Sequence, residues 1–185
     1  MPESFIPPHG GYHKLLSYQK AEIVYDATAY FCDRFIDRRS RTHDQMIQAA
    51  RSGKQNIIEG SMASGTSKEM EIKLTNVARA SLEELLADYR DFLRTRGLAE
   101  WDKNHPYAQR LRQLNRTPNS TYETFRRGIE HNDPAISANV IIGLIRVTSF
   151  LLDKQLKSLE QAFLKEGGLR ERMTRARLET RKRGG

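Results

Sequence analysis

Between Gly60 and Lys68 the chain reads GSMASGTSK, two glycines with hydroxyls and a lysine, residue types that can cradle a phosphate. The spacing withholds that chemistry. A phosphate loop follows a strand and places Lys directly after its second glycine, whereas here Thr66 and Ser67 intervene and no strand pattern precedes Gly60. A capped turn between two helices is the better reading. The histidines at 9, 13, 43, 105 and 131 lack the Glu-x-x-His partners of a di-iron bundle. Ser81 has no histidine at a telling distance and reads as a small residue at a tight helix crossing. Glu83, Glu84 and Asp88 stand beside Arg79 and Arg90, and helical salt bridges account for them more simply than acid–base work. Cys32 is alone, which excludes an intrachain disulfide or a cysteine zinc site and predicts a small core residue. Neither a catalytic set, a metal site nor a cofactor is expected.

The chemistry that remains is cationic. The net charge is +8, of which the segment 169–185 carries +5, leaving +3 for the rest. A pI near 9.7 therefore describes a nearly balanced body with a basic tail. Its cations are Arg170, Arg172, Arg175, Arg177, Arg181, Lys182 and Arg183. Arg38, Arg39 and Arg41 form a basic corner, Arg51 and Lys54 lie along the following segment, and Arg126 and Arg127 come later. Such clusters suit a polyanion, because bound phosphates release counterions. Phosphate contacts position a nucleic acid without reading its sequence, so non-specific RNA or DNA is the expected ligand. The plainer alternatives are a solvated tail, or a tail that docks an acidic partner protein or a neighbouring subunit. Tyr25, Tyr30, Tyr89 and Tyr122 could stack on bases, but their helical spacing favours the core.

These residues must be positioned by helices. Residues 1–11 hold three prolines and two glycines and predict an irregular lead-in. From Tyr12 to about Ile36, Leu16, Ile23, Ala27, Phe31 and Phe35 form one apolar stripe flanked by Val24. A second helix is predicted from Thr42 to Gly60, with Met46, Ala49, Ala50, Ile57 and Ile58 inward and Asn56, Glu59 and Gly60 closing it. Thr66 with Glu69 reads as the capping box of a third helix over Ser67–Arg96, closed by Gly97. Its inward stripe is Met70, Leu74, Val77, Ser81, Leu82, Leu85, Tyr89 and Phe92. Residues 99–133 predict a crossover with short helices at Pro106–Asn115 and Thr121–Glu130. Asp133-Pro134 opens a fourth long helix to Lys165. That helix carries two adjacent stripes, Val140, Leu144, Val147 and Leu151 beside Ile141, Ile145, Leu152, Leu156, Leu159 and Phe163. The surplus apolar face predicts either a subunit interface or burial under the crossover. Gly167-Gly168 ends it, and one more helix is expected in the tail. The fold class is all-α: an antiparallel up-and-down four-helix bundle (1–168) with a helical crossover insertion and a basic C-terminal extension (169–185). Charged residues make up 29% and mean hydropathy is -0.68, with no apolar run near the ~20 residues of a membrane span. The opening MPESFIPPHGGYHK lacks the pattern of a secretory signal, so a cytoplasmic protein with no membrane partner is expected.

Four motifs in order carry a resemblance: Tyr18-Gln19-Lys20-Ala21, the run Ala49-Ala50-Arg51-Ser52-Gly53-Lys54-Gln55-Asn56-Ile57-Ile58-Glu59-Gly60, then Thr66-Ser67-Lys68-Glu69-Met70 and Ala78-Arg79-Ala80-Ser81-Leu82-Glu83-Glu84-Leu85. They resemble the bacterial four-helix-bundle proteins first noticed in intervening sequences of large-subunit ribosomal RNA genes. The end, from Leu151 to Met173, resembles the variant with a four-helix-bundle suffix. Gly53-Lys54-Gln55 replaces the family's Ile-Pro-Ser, so its kink is expected to be missing, and Ala80 stands where glycine is common. The resemblance implies a homopentameric ring without enzymatic activity. A relative, the accessory variability determinant of diversity-generating retroelements, binds nucleic acid and a reverse transcriptase, and the resemblance implies such partners here.

Overall fold

A computed structural model describes residues 8–183, the side chain of Arg183 excepted. The lead-in at 1–7 and Gly184 and Gly185 lie outside the described residues. Every described element is helical: a 3-10 turn at Tyr12–Lys14, then α1 (Leu16–Phe35), α2 (Arg41–Ala63), α3 (Lys68–Thr95), α4 (Pro106–Asn115), α5 (Tyr122–Ile129), α6 (Pro134–Glu166) and α7 (Leu169–Arg183).

Capping side chains start these helices. Ser40 Oγ accepts from the Thr42 amide at 3.2 Å, and Asp133 Oδ1 accepts from the Ala135 amide at 2.8 Å with Pro134 in the first turn. Gly97 and Gly167 end α3 and α6 at φ of +64° and +72°, positive values that glycine adopts without a Cβ penalty, and Gly167, with ψ of -176°, sits in an extended region that is essentially glycine's alone.

Cross-helix contacts set the directions. His43 meets Asp33 at 3.2 Å and Lys54 lies over Tyr25, so α1 and α2 are antiparallel. Ser52 meets Ser81 at 3.0 Å while Gly60 faces Glu71 and Thr75, so α2 and α3 are antiparallel. Ser17 donates to Gln155 at 2.7 Å and Arg34 to Asn132 at 2.8 Å, which runs α6 against α1. Arg79 pairs with Asp153 across α3 and α6. The four long helices thus close an up-and-down bundle in the order α1, α2, α3, α6. Phe31, Met46, Ile57, Leu82, Leu85, Tyr89, Ile141 and Ile145 fill its centre, and the Tyr89 hydroxyl donates to Thr28 at 3.1 Å. Cys32 is a fully buried core residue whose thiol is pushed up to about 12, chiefly by burial.

The crossover explains the double stripe of α6. Leu111 of α4 sits against Gly143, where a Cβ would come within 2.3 Å of its methyl, and Gly128 of α5 packs on Val140. Phe125 and Ile129 of α5 are buried with them. The surplus apolar face is thus largely consumed under α4 and α5, the second of the two expectations. Asn139 fixes the start of the crossover by accepting from the Trp101 amide and donating to the Ala99 carbonyl. Lys20 fixes its middle, donating to Asn115 at 3.1 Å and Ser120 at 2.7 Å with the Phe125 ring 4.7 Å away. By length and composition α6 has a window apolar enough to cross a membrane, contrary to the expectation, but more than half of that window is buried inside the bundle.

Several local expectations shift. Gly60 does not close α2, which continues a turn further. It is buried beneath α3, with the Glu71 carbonyl 3.4 Å from where a Cβ would stand. The N-cap of α3 is Ser67, accepting from the Met70 amide at 3.1 Å, whereas Thr66 points back to the Ala63 carbonyl. Leu16, Met70 and Val77 are exposed, not inward. Arg79 and Arg90 reach Asp153 and Glu100 on other segments instead of Glu83, Glu84 or Asp88.

Candidate nucleic-acid interface

The expected phosphate-binding cations do not form one surface. Arg38, Arg39 and Arg41 occupy the corner between α1 and α2. The tail begins where α6 ends, beside the α2–α3 turn, whose Gly65 carbonyl Arg172 reaches. With α2 at 23 residues between them, the two clusters lie at opposite ends of the bundle, about 35 Å apart.

The corner holds its own counter-charge. Arg38 pairs with Asp33 at 3.5 Å, while Arg39 meets Asp37 only through its backbone amide, at 2.9 Å, and its guanidinium forms no ion pair among the described residues. Arg41 lines a shallow groove together with Asp44, Glu84 and Asp88. Asp88 is half-buried, and its carboxyl is raised above the usual range by burial, then by Asp91 and Glu84. The three carboxylates lining the groove, Asp44, Glu84 and Asp88, make it a poor seat for a phosphate. Along α2, Arg51 is exposed, while Lys54 is half-buried with its ammonium 4.4 Å from the Tyr25 ring. In α5, Arg126 is tied to both Glu123 and Glu130.

The tail is different. Leu169 to Arg183 form a continuous helix, and none of residues 169–182 is buried. Gly167 and Gly168 set its departure, and Glu171 accepts from the Gly168 amide at 2.9 Å to cap the first turn. Among the described residues Arg170, Arg175, Arg177, Arg181 and Lys182 pair with no carboxylate. Arg175 reaches the Glu166 carbonyl at 3.4 Å. Arg172 stands apart from this set: it is half-buried, its Nη2 reaching the Gly65 carbonyl at 3.5 Å. Its Nε is buried without a partner among the described residues, which makes it a tie between α7 and the α2–α3 turn. The side chain of Arg183 lies outside the described residues.

Sequence patterning passed over a further group. Between Asp102 and Arg116 stand Lys103, Arg110 and Arg112, and with Arg116 they outnumber the single carboxylate four to one, Trp101 and Tyr107 interleaved. In the structure Trp101 stacks on His105 with ring centres 4.8 Å apart and 6° between planes, and Tyr107 lies 5.5 Å from Trp101. The His105 ring also caps α4 by accepting from the Tyr107 amide. The signal was present as alternating basic and aromatic residues, hidden by the prolines that mark this stretch as a connector.

Of the four tyrosines weighed for stacking, Tyr89 is core, Tyr25 carries Lys54, and Tyr122 donates to Glu130 at 3.0 Å. Tyr30 is half-buried against the core. Among the described residues no group of His, Cys, Asp or Glu is placed to hold a metal ion. No family model, curated protein or solved structure matches the chain.

Proposed function

We propose that the protein is a non-enzymatic, homo-oligomeric accessory protein of the cytoplasm that binds RNA or DNA through its phosphates without sequence preference. The observation that carries this reading is α7, a helix of 15 residues in which Arg170, Arg175, Arg177, Arg181 and Lys182 are exposed and pair with no carboxylate among the described residues. Seven and four residues separate Arg170, Arg177 and Arg181, which places them on one face, while Arg175 and Lys182 share another. A helix holds such charges at fixed spacing, so a polyanion meets them together and sheds its counterions.

The motif resemblance extends the reading to a homopentamer serving a reverse transcriptase or a ribonucleoprotein. Sedimentation equilibrium tests the copy number, and a neighbouring reverse-transcriptase gene would support that partner. The central test is the salt dependence of binding to a labelled RNA, followed by fluorescence anisotropy. Affinity should fall steeply between about 50 and 200 mM salt. A flat response sinks the reading.

A second reading has one observation in its favour. Leu169, Met173 and Ala176 align on α7, and Met173 and Leu178 are exposed. That stripe would let α7 dock on an acidic partner protein or a neighbouring subunit. Full nucleic-acid affinity after truncation at Gly168 would favour it.

A further inference from the structure

Far from α7, a cleft of about 230 Å³ opens between α4 and α6. Leu111, Ile142 and Val147 supply its apolar lining, Trp101 and Phe150 its aromatic rings, and Arg112 and Arg146 its charge. Packing of the bundle does not require all of these. Phe150 is 58% exposed although an apolar cleft lies beside it, and Tyr107, next to Trp101, is 55% exposed. Burying such rings is favourable, so leaving two of them open beside a cleft marks a surface that lacks an occupant.

The charge around the cleft says what would occupy it. Arg112 is fixed by donating to the Lys103 carbonyl at 2.6 Å and has no carboxylate partner among the described residues, nor do Lys103, Arg110, Arg116 and Lys154. The Lys154 ammonium lies 5.2 Å from the Phe150 ring. The nearby Glu100 is already held by Arg90 and Arg146. An apolar partner would have to desolvate these cations without compensation, and the basic α7 of a second copy would be repelled. An occupant with flat apolar faces and regularly spaced negative charge satisfies both halves of the surface.

We propose that the α4–α6 cleft takes an unpaired base of a single-stranded nucleic acid, stacked on Phe150 and Trp101, with the adjoining phosphates on Arg112 and Lys154. This rests on the nucleic-acid reading above and narrows it to strands whose bases are free. Stacking on exposed rings tolerates any base, which agrees with binding that ignores sequence, whereas paired bases inside a duplex cannot enter.

The test uses the full chain with a labelled single-stranded RNA and a duplex of the same length. Trp101 is the single tryptophan and reports from within the cleft. Single-stranded RNA should quench its emission and the duplex should not. Phe150→Ala should lose about ten-fold or more in single-strand affinity with duplex affinity unchanged. Phe150→Tyr should retain binding. The Phe150 side chain is more than half exposed, so the thermal midpoint checks that the fold persists. Equal loss for both RNA forms, no loss, or no quenching overturns the cleft while leaving α7 as a phosphate site. A changed sedimentation coefficient with unchanged affinity gives the cleft to a second copy and likewise overturns it. Wild-type protein that binds neither form overturns the parent reading, and the cleft with it.

Discussion

Arg38-Arg39-Ser40-Arg41 and the arginines of α7 look alike as sequence, yet they finish at opposite ends of the bundle in different electrostatic company. The corner joins two core helices, and those helices bring carboxylates with them: Asp33 reaches Arg38, and Asp44, Glu84 and Asp88 share a groove with Arg41. The tail leaves the bundle after Gly167, and among the described residues none of Arg170, Arg175, Arg177, Arg181 and Lys182 forms an ion pair. A cation's availability is therefore decided by which elements the fold packs around it. Exposed pairs like Arg38–Asp33 are weak, but a polyanion must still compete with them and with the negative groove beside Arg41.

The largest expected effect pits the two clusters against each other. Replacing Arg170, Arg175, Arg177 and Arg181 by Gln should lower nucleic-acid affinity about 100-fold near 0.1 M salt and flatten the salt slope. Replacing Arg38, Arg39 and Arg41 by Gln should change affinity by less than about three-fold, being remote from the free cations. Anisotropy titrations of both variants decide it, and a reversed order breaks the comparison. Stability should show the opposite ranking. Removing residues 169–185 should alter unfolding free energy by less than about 1 kcal/mol, since no residue of 169–182 is buried as a whole and the main tie to the bundle is Arg172 on the Gly65 carbonyl. Leu111→Ala, emptying the notch over Gly143, should cost about 2 kcal/mol by urea denaturation. Gly167→Ala sits between them: its φ of +72° makes an alanine strained by about 1 kcal/mol, and the launch angle of α7 should loosen. A melt unaffected by that substitution would mean that α7 is not held at a fixed angle.

Much of the fold was legible because periodicity and punctuation agreed. Pro106 and Asn115 bound a helix in sequence and in structure, as do Asp133-Pro134 and Gly167. Gly60 was misread because a glycine near the end of a stripe suggests a cap, while what it does is admit the α3 backbone. Nothing local distinguishes those roles; only the partner helix does. Met70 and Val77 follow helical spacing yet face outward, because the apolar face of α3 is narrower than its apolar residue count. At the candidate interface, composition identified the cations of the corner and the tail but not their counter-charge, and it passed over those beside Trp101. Arg172 lies mid-run in the tail, and only the fold turns it onto the Gly65 carbonyl. Phe150 belongs to a long apolar helix, and its exposure depends on where α4 stops covering α6.

A third kind of cation sharpens the contrast and gives the smallest expected effect. Lys20 is neither paired with a carboxylate nor open to solvent: it is 6% exposed and held by neutral oxygens of Asn115 and Ser120. Burial lowers its pKa from 10.5, because the charged form is the one that loses hydration. The unfolded chain then holds this proton up to a higher pH than the folded chain does. Its contribution to stability must rise as pH climbs from the lowered value towards 10.5. Cys32 and Tyr18 act in the opposite sense, since folded values near 12 for both let the unfolded chain ionise first above about pH 9 to 10. Those two groups remain in Lys20→Met, so the difference between wild type and variant isolates the lysine. Near neutral pH the variant should stay within about 1 kcal/mol of wild type, lost hydrogen bonds offsetting relieved desolvation. Urea midpoints between pH 7 and 10.5 should then show wild type gaining on the variant as pH increases. A difference that stays constant with pH would mean that Lys20 keeps its hydration and belongs with the solvated cations of α7.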